Sequence, residues 1–196
     1  MRSTVDARDR AYSDRDGTYR ALLNSATTLF LTLGYEQTGL ARISTHAGHS
    51  EDTVRGYYTS KNDIGHDVAD HLCHHALQRL HRTRPDDNAE LVTVLSRWAR
   101  IAIHRPGWLR LELALAAHDG DAPLQYSLRL SRIRTALTHL LTATIPAAPG
   151  ADNHQVTADF LLTMVAGLTT LHPGDAHPDH LQISTQIELV LRGATN

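Results

Sequence analysis

Residues 34–61 read GYEQTGLARISTHAGHSEDTVRGYYTSK, and this stretch decides the fold. Two short helical segments meet within it at Ala47-Gly48-His49-Ser50. A helix-turn-helix needs a small residue and a glycine at its corner, because the two helices pack at a steep angle with little room. Ile43 and Val54 are spaced to meet across that corner. The stretch therefore predicts a helix-turn-helix whose second helix can enter the DNA major groove by its N-terminal residues.

Hydroxyl side chains mark where the helices around this corner begin. Thr38 is expected to cap a helix that runs to about Ala47, and Ser50 is expected to cap the next one. Ser60 is expected to cap a fourth helix that ends near Arg82. A capping hydroxyl accepts a hydrogen bond from a backbone N–H group that otherwise lacks a partner.

Apolar residues recur at three- and four-residue steps through the rest of the chain, and no stretch alternates as a strand would. The sequence therefore predicts an all-α protein of about nine helices. No apolar run approaches the ~18–20 residues that a membrane span needs, so we expect no membrane partner. Cys73 is the single cysteine of the 196 residues, which excludes an intrachain disulfide and fits a cytoplasmic protein.

Charge does not mark the segment as a nucleic-acid binder. Between residues 18 and 64 four basic residues balance four acidic ones, and residues 1–16 contain four arginines and four aspartates. A basic footprint is the usual sign of a DNA-binding domain. The functional prediction therefore depends on the residue pattern.

That pattern resembles the helix-turn-helix of the TetR family of transcriptional regulators. The matching residues, with the family's internal spacing, are Leu29-Phe30, Gly34-Tyr35, Thr38, Ile43, Ala47-Gly48, Ser50, Thr53, Val54 and Ser60-Lys61. The chain departs from the family pattern at Gly39, Ser44, His49, Asp52 and Arg55. The resemblance implies a flexible arm (1–16), a DNA-binding domain (17–62) and an effector-binding and dimerisation domain (63–196). It also implies a homodimeric repressor without a cofactor, which a small molecule releases from a double-stranded DNA operator.

Six residues are expected to contact DNA. Arg55 can read guanine through two hydrogen bonds, and Thr38 at a helix N-terminus can face a phosphate. The resemblance implies backbone contacts for Lys61 and Tyr57. Ser50 and Thr53 complete the set, with helix capping as the alternative role for the hydroxyl residues.

The resemblance also places a ligand cavity between the fourth and eighth helices. Its expected lining residues are His71, His75, Trp98, Trp108, Glu112, Leu115, His118 and Tyr126. Glu112 is a charge on a helix that is otherwise apolar, so it must be paired, exposed or facing a cavity. His71 and His75, one helical turn apart, could instead hold a metal ion with Asp67, but we expect no metal there.

The last two helices are expected to form a four-helix dimer interface through Phe160, Met164, Leu168, Ile187 and Val190. One alternative function is a ligand-binding or protein-interaction module whose DNA-binding head is degenerate. A metalloenzyme is a third possibility. We find no nucleophile–base pair or closed set of metal ligands, and therefore expect no enzymatic activity.

Overall fold

The computed structural model describes the backbone of residues 3–104, 107–145, 153–171 and 179–195, and the side chains of residues 17–103, 107–145, 154–169, 179 and 181–193. Over these ranges the chain forms nine helices and no strand, which confirms the all-α prediction. The helices are α1 (Ser3–Thr32), α2 (Leu40–Ala47), α3 (Glu51–Arg55), α4 (Lys61–Arg82), α5 (Asn88–His104), α6 (Gly107–His118), α7 (Ala122–Thr144), α8 (Asn153–Leu171) and α9 (His180–Thr195). None of the helices within these ranges is long and apolar enough to cross a membrane.

Helix α1 covers most of the stretch for which we expected an arm. It begins at Ser3, while residues 1 and 2 and all side chains up to residue 16 lie outside the described part of the chain. The arm over residues 1–16 therefore stays a prediction.

The chain divides into two compact units. The first contains Met1–Asp70 and Arg110–Ala122, and the second contains His71–Leu109 and Pro123–Asn196. The first unit thus includes the beginning of α4 and most of α6, which we had expected in the effector domain. A close contact within the first unit explains this grouping, because the side chain of Leu115 packs directly against Gly65. The expected functional boundary after residue 62 stays a prediction.

Each unit has its own apolar core. In the first, the buried residues include Leu22, Ala26, Phe30, Ile43, Val54, Ile64, Val68 and Leu115. In the second, one cluster joins α4, α5, α7, α8 and α9 and includes Cys73, Leu95, Leu137, Leu161 and Ile187. The Cys73 thiol is fully buried and its Sγ lies 3.8 Å from the carbonyl oxygen of Arg129. It is a packed thiol.

Candidate functional site

The corner between α2 and α3 has the geometry of a helix-turn-helix. Gly48 ends α2 with a φ of 74°, a left-handed conformation that favours glycine, and its N–H faces the carbonyl oxygens of Ser44 and Thr45. Ile43 and Val54 on either side of the corner are both fully buried. The predicted motif is thus confirmed in its corner glycine, its order of helices and its apolar contact residues.

Two of the three predicted caps are confirmed. The Ser50 Oγ accepts a hydrogen bond from the backbone N–H of Thr53 at 3.1 Å, so it caps α3. At the start of α4 the backbone N–H of Asp63 donates to the Ser60 Oγ at 3.1 Å, and the N–H of Ser60 donates to the Asp63 Oδ2 at 2.9 Å. This reciprocal pair is a capping box with an aspartate in the glutamate position.

The prediction for the Thr38 side chain is wrong. Gly39 occupies the N-cap position of α2 and supplies no side-chain hydrogen bond. Thr38 is fully buried, and its hydroxyl donates to the carbonyl oxygen of Gly34 at 2.8 Å. The hydroxyl is used to close the turn after α1, so it is not presented to a phosphate.

The exposed face of α3 carries a paired arginine and two carboxylates. The Arg55 Nη2 lies 2.6 Å from the Glu51 Oε1, one helical turn away, and both side chains are largely exposed. Asp52 is exposed beside them. Helix α3, the candidate recognition helix, therefore has a net charge of −1, and its arginine is paired with a carboxylate of the same helix.

Lys61 and Tyr57 have partners within the first unit. The Lys61 Nζ donates to the carbonyl oxygen of Tyr35 at 2.9 Å and lies 4.0 Å from the centre of the Tyr35 ring. The hydrogen bond uses one of the three ammonium donors, and the cation–π contact adds an electrostatic attraction to the face of the ring. The Tyr57 ring lies 6.4 Å from that of Tyr19, and Tyr57 is half-buried.

The end of α6 contacts the start of α4 and the turn before α2, all within the first unit. The His66 Nε2 lies 2.7 Å from the Asp119 Oδ2, and the His118 Nε2 lies 2.6 Å from the Glu36 Oε1. A Cβ placed on Gly65 would come within 2.7 Å of the Leu115 Cδ2. These contacts join segments that are more than 50 residues apart in the chain.

Tyr35 is the central residue of this contact. Its ring packs against Phe30 and His118, and its hydroxyl donates to the Asn62 Oδ1. Burial, followed by the nearby charges of Glu36 and Asp119, raises the pKa of Tyr35 to about 12. Tyr35 is therefore an un-ionised hydrogen-bond donor at neutral pH. The sequence pattern marked Tyr35 only as part of the motif, and gave no sign of its role at the α6 contact.

The eight residues expected to line an effector cavity fall in both units. Glu112, Leu115 and His118 belong to the first, and His71, His75, Trp98, Trp108 and Tyr126 belong to the second. Leu115 is fully buried against Gly65, and His118 is exposed beside Glu36. Their expected role as lining residues stays a prediction. Glu112 is buried and has a polar partner. Its proposed role in binding an effector stays a prediction.

Two histidines of α4, His71 and His75, contact each other. The Nε2 atoms of His71 and His75 are 3.1 Å apart, and burial, followed by the charges of His75 and His74, lowers the pKa of His71. Within the described ranges no group of three or more potential metal ligands comes together. His66, also on α4, is partly buried against Asp119.

Most of the expected dimer residues line one apolar groove between α8 and α9. The groove has a volume of about 710 Å³ and includes Phe160, Met164, Leu168 and Val190. Ile187 does not belong to it: this side chain is fully buried in the core of its own protomer, so its prediction as an interface residue is wrong. Its spacing relative to Val190 does not distinguish the inward face of α9 from the outward one.

Comparison with known proteins shows similarity of fold. No family model matches the sequence, and no curated protein does. Among solved structures, a TetR-family regulator from Mesorhizobium loti MAFF303099, described as putative, is 15% identical with a TM-score of 0.69, covering 92% of this chain and 96% of that one. The fold is that of the TetR-family regulators.

Two further solved structures with this TetR fold are of a named repressor and a named transcriptional regulator. NalD from Pseudomonas aeruginosa, the secondary repressor of the MexAB-OprM multidrug efflux pump, is 16% identical with a TM-score of 0.60, and the match covers 92% of this chain and 96% of that one. FadR from Bacillus subtilis, a transcriptional regulator solved with stearoyl-CoA, is 17% identical with a TM-score of 0.61 (89% and 98% covered).

Proposed function

We propose that this chain is a homodimeric, DNA-binding transcriptional regulator, a repressor that a small-molecule effector releases from its operator. The observation that carries the proposal is the helix-turn-helix corner, in which Gly48 and the buried pair Ile43 and Val54 leave the N-terminal turn of α3 exposed. A helix presented in this way can enter the major groove. Such a regulator acts in the cytoplasm and has no catalytic activity.

Three side chains carry the DNA contacts in this proposal. Arg55 breaks its ion pair with Glu51 and forms hydrogen bonds to a guanine base instead. Lys61 and Tyr57 face the sugar–phosphate backbone of the DNA. Ser50 and Thr53 support the recognition helix, because they bond to each other across its first turn at 2.9 Å. Thr38 makes no DNA contact in this proposal, because its hydroxyl donates to the carbonyl oxygen of Gly34 and its backbone N–H donates to that of Tyr35.

A dimer is part of the same proposal. Val156, Phe160 and Leu189 line the α8–α9 groove with 68%, 57% and 63% of their surface exposed. Apolar side chains exposed to this extent in one contiguous patch mark an interaction surface. A second copy packed on this groove gives the two-fold symmetry that a near-palindromic operator requires, with recognition helices about 34 Å apart.

Release from the operator requires an effector that prefers one arrangement of the protein. Helix α4 contributes residues to both units, so a ligand that shifts α4 changes the unit that carries the helix-turn-helix. Trp98, Trp108, Tyr126, His71, His75 and Glu112 remain the residues proposed to sense it. The complex of FadR from Bacillus subtilis with stearoyl-CoA is a precedent for a ligand in this fold.

Selection of bound DNA from a random duplex pool by the full chain tests the DNA-binding proposal. We expect enrichment of a near-palindrome whose half-sites are about one helical turn apart. A pool that is not enriched after several rounds at low salt would contradict the proposal. Low salt matters because phosphate contacts weaken steeply as salt rises.

A second candidate function is a ligand-binding or protein-interaction module with a degenerate DNA-binding head. The ion pair between Arg55 and Glu51 favours it, because that pair withdraws the only arginine of α3 and leaves a net negative face. This candidate predicts no enrichment of DNA together with retained ligand binding. The selection experiment and a thermal-shift ligand screen on the same preparation therefore separate the two functions.

A further inference from the structure

Three arginines line a single groove in the second unit. Arg79 and Arg82 lie one turn apart on α4, Arg97 lies on α5, and all three side chains are exposed. The groove has a volume of about 350 Å³, at the lower end of the ~300–1,000 Å³ range of small-molecule pockets. Three positive charges therefore converge on a space that suits a small molecule.

The described part of the chain leaves the charges of these three arginines without a paired carboxylate. Among the described residues, none of the three guanidinium groups has a carboxylate within ion-pair distance or a side-chain hydrogen bond. Two other arginines of the second unit are paired with carboxylates, Arg134 with Asp159 and Arg192 with Glu188. Like charges that line one groove repel each other, and an anion bound between them removes that repulsion.

Apart from Thr83, the rest of the groove is apolar. Its lining includes Leu80, which is 3% exposed, and the partly buried side chains of Val94, Trp98 and Ile101. The Trp98 ring also packs against the core cluster, so the floor of the groove is held in place. A wholly hydrophilic anion would leave these apolar side chains exposed to water, whereas a molecule with an apolar body would bury them, which is favourable.

We propose that this groove binds a small anionic amphiphile, with a carboxylate or phosphate headgroup at the arginines and an apolar body along Trp98. A guanidinium group fits either headgroup because its N–H donors form two parallel hydrogen bonds to two oxygen atoms. The site goes beyond the proposed regulatory function, because binding at α4 and α5 requires no DNA. A chain that selects no DNA would still bind the amphiphile.

Fluorescence of Trp98 reports on the groove directly. The chain contains two tryptophans, so the full-length Trp108→Phe variant has Trp98 as its single reporter. We would titrate this variant with decanoate, decyl phosphate, decan-1-ol and decyltrimethylammonium below their micelle concentrations. We expect saturable binding of one or both anions and at least tenfold weaker binding of the alcohol and the cation. Whichever anion binds more tightly identifies the headgroup, and calorimetry provides a second readout.

Arginine variants distinguish the groove from general surface charge. Arg97→Gln should weaken binding of the preferred anion about tenfold, the loss expected for one hydrogen bond to a charged group. Arg100→Gln is the matched control, because it removes the same charge from the same helix at an exposed residue that does not line the groove. Three results would overturn the proposal: equal affinity for decanol and the anions, equal loss in the two variants, or no binding of either anion by fluorescence and calorimetry.

Discussion

The Nε2 of His118, the last residue of α6, lies 2.6 Å from the Oε1 of Glu36 in the turn that precedes α2. One residue further along the chain, Asp119 contacts His66 of α4 at 2.7 Å. The two histidine–carboxylate contacts flank the place where Leu115 packs on Gly65. The end of α6 is thus held to α4 and to the turn before α2 by polar contacts around an apolar one. The exposed contact between His118 and Glu36 contributes little stability, so we expect the apolar contact to dominate.

Gly65→Ala should therefore destabilise the protein. The added methyl group would come within 2.7 Å of the Leu115 Cδ2 and 3.2 Å of the Tyr35 ring, and we expect a loss of about 1–3 kcal/mol in urea unfolding. Gly17→Ala is the matched control, because Gly17 also lies within a helix and a Cβ there meets nothing within 4 Å. That control should gain up to about 1 kcal/mol from helix propensity. Equal stability of Gly65→Ala and wild type would show that α6 does not pack closely here.

The capping box of α4 should make stability depend on pH. The hydrogen bond from the Thr59 hydroxyl is the largest cause of the lowered pKa of Asp63. Burial opposes it, and the hydrogen bonds with Ser60 add to the lowering. A lowered pKa in the folded state contributes stability above the unfolded value of about 3.9, and this contribution is lost as the pH falls through the folded value. Asp63→Asn should therefore be less stable than wild type at pH 7, by under about 1 kcal/mol because Asp63 is exposed.

The pH profile is what distinguishes this charge effect from a packing effect. The difference between wild type and Asp63→Asn should be constant from about pH 7 to 5 and should shrink below about pH 4. Asp86→Asn, at an exposed aspartate outside the capping box, should show no such difference. Melting temperatures measured across this range would check the prediction. A difference between wild type and Asp63→Asn that persists unchanged to pH 3 would contradict it.

The local features of the fold could be predicted from sequence. Gly48, the Ser50 and Ser60 caps and the start of α4 at Lys61 all depend on residues within four positions of one another. Thr38 shows the limit of such reasoning. A hydroxyl two residues before a helix can cap it or close the preceding turn, and only the backbone geometry decides that Gly39 is the N-cap.

The contacts of α6 could not be predicted in the same way. Glu36 and His118 are 82 residues apart, and no periodicity within either segment relates them. The prediction for Lys61 was also incomplete, because its contact with Tyr35 depends on how the turn after α1 folds back. For α9 the apolar spacing was correct, but Ile187 and Val190 share a stripe of which only part faces the core.

The wild-type chain should be a dimer in light scattering at micromolar concentration, and Phe160→Asp should convert it into a folded monomer. Phe160 is 57% exposed in the protomer, so the charge is tolerated in the monomer but would be buried unpaired in the dimer. Leu181→Asp is the control: Leu181 is 74% exposed but does not line the groove, and this variant should remain dimeric. Ile187→Asp should unfold the protein, because Ile187 is fully buried. A monomeric wild type would exclude the α8–α9 groove as a dimer interface.

The ion pair on α3 leads to the most specific prediction for DNA binding. Glu51→Gln should raise affinity for the selected duplex several-fold, because it frees Arg55 and removes a carboxylate that repels phosphates. Arg55→Ala should cost about 1–3 kcal/mol and relax the preference at one base pair per half-site. Glu188→Gln is the matched control, since it breaks another i,i+4 pair, with Arg192 on α9, and should leave DNA binding unchanged. Fluorescence anisotropy with the selected duplex and a scrambled duplex measures both affinity and preference. If Glu51→Gln and Arg55→Ala both bind like wild type, α3 does not read the DNA.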